Sequence, residues 1–249
     1  MFDNADEKKG LNQTDLSQTE LVTGDVVSAG EKPEPVAKQN PWKLRLMQLA
    51  IFSLTYVNYG VLHATRSSWS LVTADLRELY GFSVGIVGDM NTTFLFCYSV
   101  GNFFLSHLGD KYNKNILIFT MYTMIAIVEV ALGSLMFVSD LHAWPFFIIK
   151  ALNGTLQSFA WAVNFAILCN WFPRKGRGLL IGVWATNPSV GDIFGQQLFG
   201  VLTSDPYTPS DWGYVFITLG GCVFFVGLVN LIFLVEYPSA MGLEIKERG

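Results

Sequence analysis

Six long apolar runs separated by short charged junctions constrain this chain more than any other feature. They cover residues 46–74, 84–108, 116–138, 145–170, 179–203 and 213–235. Each is long enough for an α-helix to cross a bilayer, which takes about 20 residues. Only 14% of the residues are charged and 51% are hydrophobic, whereas a soluble domain carries about 25% charge. The expectation is an all-α membrane protein, a six-helix transmembrane bundle over 43–240. It is preceded by a disordered tail over 1–42, polar and holding Pro33, Pro35 and Pro41, and followed by the start of a linker over 241–249.

The cations set the orientation, because cytoplasmic loops are enriched in Lys and Arg. Lys38, Lys43 and Arg45, then Lys111 and Lys114, then Arg174, Lys175 and Arg177, then Lys246 and Arg248 fall on one side. The other side holds Asp75, Arg77 and Glu78, then Asp140, then Asp205 and Asp211. Six crossings with both termini cytoplasmic satisfy this alternation. No early apolar core precedes the first run, so no cleavable signal is expected.

The net charge of -4 comes largely from the first forty residues, and no basic face argues for nucleic acid. Cys97, Cys169 and Cys222 lie in different runs, which suits apolar packing and neither a disulfide framework nor a zinc site. Glycine loops for phosphate, metalloprotease helices and nucleophile elbows are absent from the sequence, so the chain reads as neither an enzyme nor the holder of a metal or cofactor. Membrane lipid is its surrounding partner. Gly178 with Gly182 and Gly191 with Gly195 have the small-residue spacing that brings membrane helices together. Pro188 predicts a kink in the fifth run.

Arg66 lies about 9 Å beyond the middle of the first run at the helical rise. Charge at that depth normally faces a protein interior or an aqueous path. Tyr59, His63, Arg66 and Ser70 recur on one helical face. A guanidinium there either holds a phosphate through paired hydrogen bonds or ends a shorter helix and snorkels. Asp192, among Asn187, Ser189, Gln196 and Gln197, suggests a second wall of the same cavity. It pairs with Arg66, binds a proton, or is satisfied by neighbouring donors. Glu129 lacks polar neighbours at helical spacing, which favours local packing or a neutral carboxyl. Asp110 and Lys111 on one tight turn, and Arg177 on another, form either a gating latch or simple topology-setting charge.

Together these segments resemble the major facilitator superfamily, in particular its organophosphate:phosphate antiporter branch with the eukaryotic sugar-phosphate exchangers. The resemblance spans about 43 to 240. It is carried by Tyr56-Val57-Asn58-Tyr59 through His63-Ala64-Thr65-Arg66, by Phe94 to Gly101, and by Gly109-Asp110-Lys111-Tyr112-Asn113. Asn153-Gly154-Thr155-Leu156-Gln157-Ser158 with Trp161, Asn170-Trp171-Phe172 with Arg177-Gly178, and Gly182-Val183-Trp184 leading to Ser189-Val190-Gly191 complete it. The pattern departs at Ser106, Asn113, Ala162 and Pro188, and Asp192 stands where a neutral residue is expected.

The resemblance implies the N-terminal half of a transporter that exchanges a phosphorylated sugar or glycerol phosphate for inorganic phosphate by alternating access. Arg66 is then the phosphate ligand, with Tyr59, His63, Trp161, Asn187 and Asp192 around the substrate and Asp110, Lys111 and Arg177 at the gate. The membrane is the endoplasmic reticulum or the plasma membrane. The chain ends where the linker between halves is expected, so its partner is a missing C-terminal half or a second copy. A proton-coupled organic-solute transporter, and a non-transporting half with a regulatory role, are the alternatives.

Overall fold

The computed structural model describes residues 40–107, 111–204 and 208–245. Residues 1–39 of the expected tail over 1–42, and Asp110, lie outside them. Within the described residues the chain forms eight α-helices: α1 Pro41–Tyr80, α2 Val84–Leu105, α3 Lys114–Ser134, α4 Trp144–Gln157, α5 Ala160–Trp171, α6 Arg177–Trp184, α7 Asn187–Leu202 and α8 Gly213–Phe233.

The first helix is longer than the apolar run that seeds it. It starts with Pro41, a residue the sequence had assigned to the tail. Pro41 suits the first turn because that turn has no intrahelical use for its missing N–H. The Asn40 side chain caps it by accepting from the Trp42 backbone N–H at 3.0 Å. The far end runs on through Asp75, Arg77 and Glu78 to a left-handed Gly81 at φ 68°, a conformation that glycine adopts without strain. Ser83 and Asn113 cap α2 and α3 in the same way as Asn40 caps α1.

Two apolar runs are broken where the sequence suggests one helix each. Residues 145–170 divide into α4 and α5 at Ser158 and Phe159, and residues 179–203 divide into α6 and α7 at Ala185 and Thr186. Pro188 in the first turn of α7 explains the second break, since a helix cannot run unperturbed across a residue without an N–H. Among the described residues, Lys114–Phe137 and Gly213–Phe233 are long and apolar enough to cross a bilayer by composition. The other helices are short or carry polar faces.

Three helix pairs make the frame: α1 with α7, α2 with α4, and α3 with α8. Small residues let each pair approach. A Cβ on Gly191 would collide with the Gly60 backbone, and one on Gly195 with Ala64 and Ser67. A Cβ on Gly154 would strike Phe94, and Gly133 and Gly213 abut each other. The Gly191 and Gly195 expectation therefore holds, while Gly178 and Gly182 meet open space because α6 turns that edge away from the bundle.

A polar cluster ties four helices together. Asn58 Nδ2 donates to Asn164 Oδ1 at 2.8 Å and to Asn230 Oδ1 at 2.9 Å. Asn230 Nδ2 donates back to Asn58 Oδ1 at 2.6 Å, and the Tyr122 hydroxyl donates to the Asn58 carbonyl at 2.7 Å. All four side chains are fully buried. At one end of the bundle the segment after α8 folds back. There Glu236 pairs with Lys114, Trp171 Nε1 donates to the Val235 carbonyl at 2.7 Å, and Gln48 Nε2 donates to the Trp171 carbonyl at 2.7 Å.

Candidate functional site

Arg66 sits on the cavity side of α1, and its guanidinium is held on several sides at once. Nε donates to Gln157 Oε1 on α4 at 2.8 Å, and Nη1 lies 3.5 Å from His63 Nε2. The charge rests over the rings of Tyr98 at 4.9 Å, Phe94 at 5.4 Å and Tyr59 at 5.9 Å, distances at which a ring quadrupole attracts a cation. Nη2 is buried and has no hydrogen-bond partner among the described residues. A charged donor left in that state is costly, and a bound anion would satisfy it. Beside it opens a cavity of about 370 Å³ lined by His63, Arg66, Ser67, Ser70, Leu71, Asp192 and Gln196.

Asp192 does reach this cavity, but its partner is His63 and not Arg66. His63 Nδ1 lies 3.5 Å from Asp192 Oδ1. Since Arg66 Nη1 can only donate, His63 Nε2 is the acceptor and the ring proton sits on Nδ1, facing the carboxylate. One imidazole thus stands between the two charges whose pairing was one of the alternatives the sequence offered. Asn187 does not line this cavity. It is fully buried at the break between α6 and α7, where Nδ2 donates to the Trp184 carbonyl at 2.7 Å. It borders a separate apolar groove with Tyr56, Gly60 and Phe194. The turn forced by Pro188 withdraws it from the Arg66 side.

Tyr59 and Trp161 do come together. Their rings meet edge to face at 5.1 Å, and Trp184 lies 4.8 Å from Trp161. Tyr59 is buried while Trp161 keeps 36% of its surface exposed, so Trp161 is the member of this cluster with a free ring surface. The gate candidates are not assembled by the described residues. Asp110 is outside them, Lys111 is exposed, and Arg177 donates from Nη2 to the carbonyls of Cys169, at 2.9 Å, and Phe172. These bonds make Arg177 a cap on the end of α5.

Sequence reasoning missed the polar row behind Arg66. Gln157 Nε2 donates to Asn153 Oδ1, and Asn153 Nδ2 donates to Glu129 Oε1 at 2.7 Å. Glu129 therefore has its polar partners on α4, across a helix boundary, where a search along α3 alone finds none. Lys150 is buried on the same helix with its ammonium 3.8 Å from the Trp69 ring centroid. Lys150, Asn153 and Gln157 fall at spacings of three and four, a helical stripe that was legible in the sequence. Among the described residues no three His, Cys, Asp or Glu side chains cluster to hold a metal.

Comparison with known proteins decides the family: the profile of the Major Facilitator Superfamily matches residues 49–249. The chain belongs to the major facilitator superfamily. Its relatives include an Arabidopsis thaliana protein named for glycerol-3-phosphate transport, 32% identical over 79% of this chain and 41% of the relative. A glucose-6-phosphate exchanger of Danio rerio is 33% identical over 77% of this chain and 43% of its own. Sugar phosphate exchanger 3 of Homo sapiens is 28% identical over 79% and 44%. The chain thus spans less than half the length of these relatives. Membership makes it a membrane protein of a transporter family, and these relatives match the branch to which the motifs pointed.

Proposed function

We propose that this chain forms the Arg66-bearing half of a secondary transporter that exchanges a small phosphorylated metabolite, a sugar phosphate or glycerol phosphate, for inorganic phosphate. The observation that carries the proposal is the Arg66 guanidinium. It has one N–H group buried without a partner and opens on a cavity with Ser67 and Ser70 beside it. A phosphate oxygen satisfies that donor, while the Ser67 and Ser70 hydroxyls donate to backbone carbonyls. The names of the three relatives support the substrate class. In this reading the helices cross the membrane six times, with α4–α5 and α6–α7 as broken fourth and fifth spans. Both termini lie in the cytoplasm, the membrane is the endoplasmic reticulum or plasma membrane, and a second six-helix body faces Arg66 across the cavity.

Counterflow of labelled phosphate, with the protein purified from its native membrane and reconstituted in liposomes, tests the reading. Arg66→Ala is expected to lower exchange about a hundredfold, the loss of roughly 3 kcal/mol of charge-assisted hydrogen bonding. Unchanged exchange in Arg66→Ala refutes it.

The contact between His63 and Asp192 favours one alternative, proton-coupled uptake of an organic solute, in which the carboxylate is the proton site. That reading requires uptake driven by a pH gradient and abolished in Asp192→Asn. Phosphate counterflow that survives the same substitution excludes it.

A further inference from the structure

Behind Arg66 the polar row has a direction. Arg66 Nε donates to Gln157 Oε1, Gln157 Nε2 donates to Asn153 Oδ1, and Asn153 Nδ2 donates to Glu129 Oε1. Arginine only donates, and Glu129 Oε1 accepts at the far end while its Oε2 is buried without a partner among the described residues. Two amides strung between such ends satisfy every bond in one orientation alone, each turning its oxygen toward the arginine and its nitrogen toward the glutamate. Without that terminal acceptor only the arginine end still selects an orientation, and Asn153 is no longer held with its oxygen toward Gln157. A flipped Asn153 then turns its NH₂ against that of Gln157, and the Gln157 amide is held less firmly against Arg66 Nε.

The burial of this row strengthens the constraint. Asn153, Gln157 and Glu129 are each at most 2% exposed, so no bulk water replaces a bond lost to a flipped amide. Gln157 Nε2 also reaches Thr65 Oγ1 at 3.3 Å, which ties the row to the helix that carries Arg66. Lys150 sits one turn before Asn153 on α4 and is buried there.

We infer that Glu129, on a helix that does not touch the cavity, is a positioning residue for Arg66: through Asn153 and Gln157 it fixes the rotation of the guanidinium and so aims the unpartnered Nη2 at the anion. The inference rests on the reading of Arg66 as a phosphate ligand, and it assigns that site its supporting residues. Orientation of this kind acts on recognition, because a misaimed guanidinium keeps its charge and loses paired hydrogen bonding.

The test compares Glu129→Gln, which still offers Asn153 an amide oxygen, with Glu129→Leu, which offers nothing. Two readouts are taken on the reconstituted protein: KM and kcat for phosphate exchange, and the ¹⁵N resonance of Arg66 Nε, assigned by its disappearance in Arg66→Lys. Glu129→Leu is expected to raise KM about tenfold with kcat within about threefold, the loss of one oriented bond to a charged group. Its Nε resonance shifts as well. Glu129→Gln keeps the parent resonance and a KM within about threefold of the parent, since the amide oxygen restores the acceptor. Where Glu129→Leu does not assemble, Asn153→Leu cuts the same row and carries the same expectation.

The inference is overturned if Glu129→Leu and Glu129→Gln give the same KM and the same Nε resonance, or if KM moves while the resonance does not. A shifted resonance with unchanged KM shows that the row orients Arg66 and counts against Arg66 as the phosphate ligand. The two ideas therefore fail separately.

Discussion

Replacing Asn58 with leucine removes the centre of the cluster that joins α1 to α3, α5 and α8, and its cost follows from the bonds. Three side-chain hydrogen bonds disappear: two donated by Nδ2 to Asn164 and Asn230, and one accepted by Oδ1 from Asn230. Asn164 Nδ2 keeps the Ala160 carbonyl and Asn230 Nδ2 keeps that of Val226, so the groups left orphaned are the two acceptor oxygens. Interhelical hydrogen bonds in membrane proteins average about 0.6 kcal/mol, so the three bonds account for about 2 kcal/mol. Stranding two buried acceptors adds roughly 1 kcal/mol each. Leucine has the same branching as asparagine and is somewhat larger, so no cavity contributes, and the two terms together give an expected destabilisation of about 4 kcal/mol. Equilibrium unfolding in mixed micelles of dodecyl maltoside and sodium dodecyl sulfate, followed by tryptophan fluorescence, measures it. The triple change of Asn58, Asn164 and Asn230 to leucine removes the orphans along with the bonds, so it is expected to be less destabilising than the single change. A single variant within about 0.5 kcal/mol of the parent, or a triple variant worse than the single one, refutes the reasoning.

Two further outcomes follow from the packing and from the folded-back end. Gly191→Ala places a methyl group against the Gly60 backbone and is expected to cost roughly 1–3 kcal/mol in the same unfolding assay. Gly182→Ala, where a Cβ meets nothing within 4 Å, is expected to be neutral or to stabilise by up to about 1 kcal/mol through helix propensity. For Glu236, burial alone raises the carboxyl pKa, but the bonds from Lys114 and Tyr237 outweigh it and hold the carboxyl below its ordinary range. A depressed pKa gives stability that is present above the unfolded value of about 4.3 and is lost as pH falls through the folded value. Glu236→Gln is therefore expected to destabilise by roughly 2 kcal/mol at about pH 7, the worth of a hydrogen bond to a charged group, with a difference from the parent that shrinks below about pH 4. A difference independent of pH sinks the ion-pair account.

Period and charge made the helices legible, and proximity between helices was not. The apolar runs of α2, α3 and α8 coincide with helices because apolar length and terminal caps such as Ser83 and Asn113 are local properties. The polar stripe of Tyr59, His63, Arg66 and Ser70 was equally local, and His63, Arg66 and Ser70 of it line the cavity. The partner of Arg66 was not local. Asp192 is the obvious counter-charge by sign, yet which face of α7 meets α1 is set by Gly191 against Gly60 and Gly195 against Ala64. That register brings Asp192 to His63, one turn before Arg66, and leaves the guanidinium to Gln157. Gly191 and Gly182 carry identical sequence signals, and only the break at Pro188 separates a glycine in a helix crossing from one on an open edge. Glu129 shows the same limit from the other side. A lone carboxylate on an apolar helix looks like a packing oddity until α4 supplies Asn153 and Gln157, because a relay that crosses three helices has no period in any one of them. Its detectable part was the stripe of Lys150, Asn153 and Gln157. A buried cation and two amides on one face of a membrane helix demand a polar partner on a neighbouring helix, and Glu129 is the carboxylate that meets this demand.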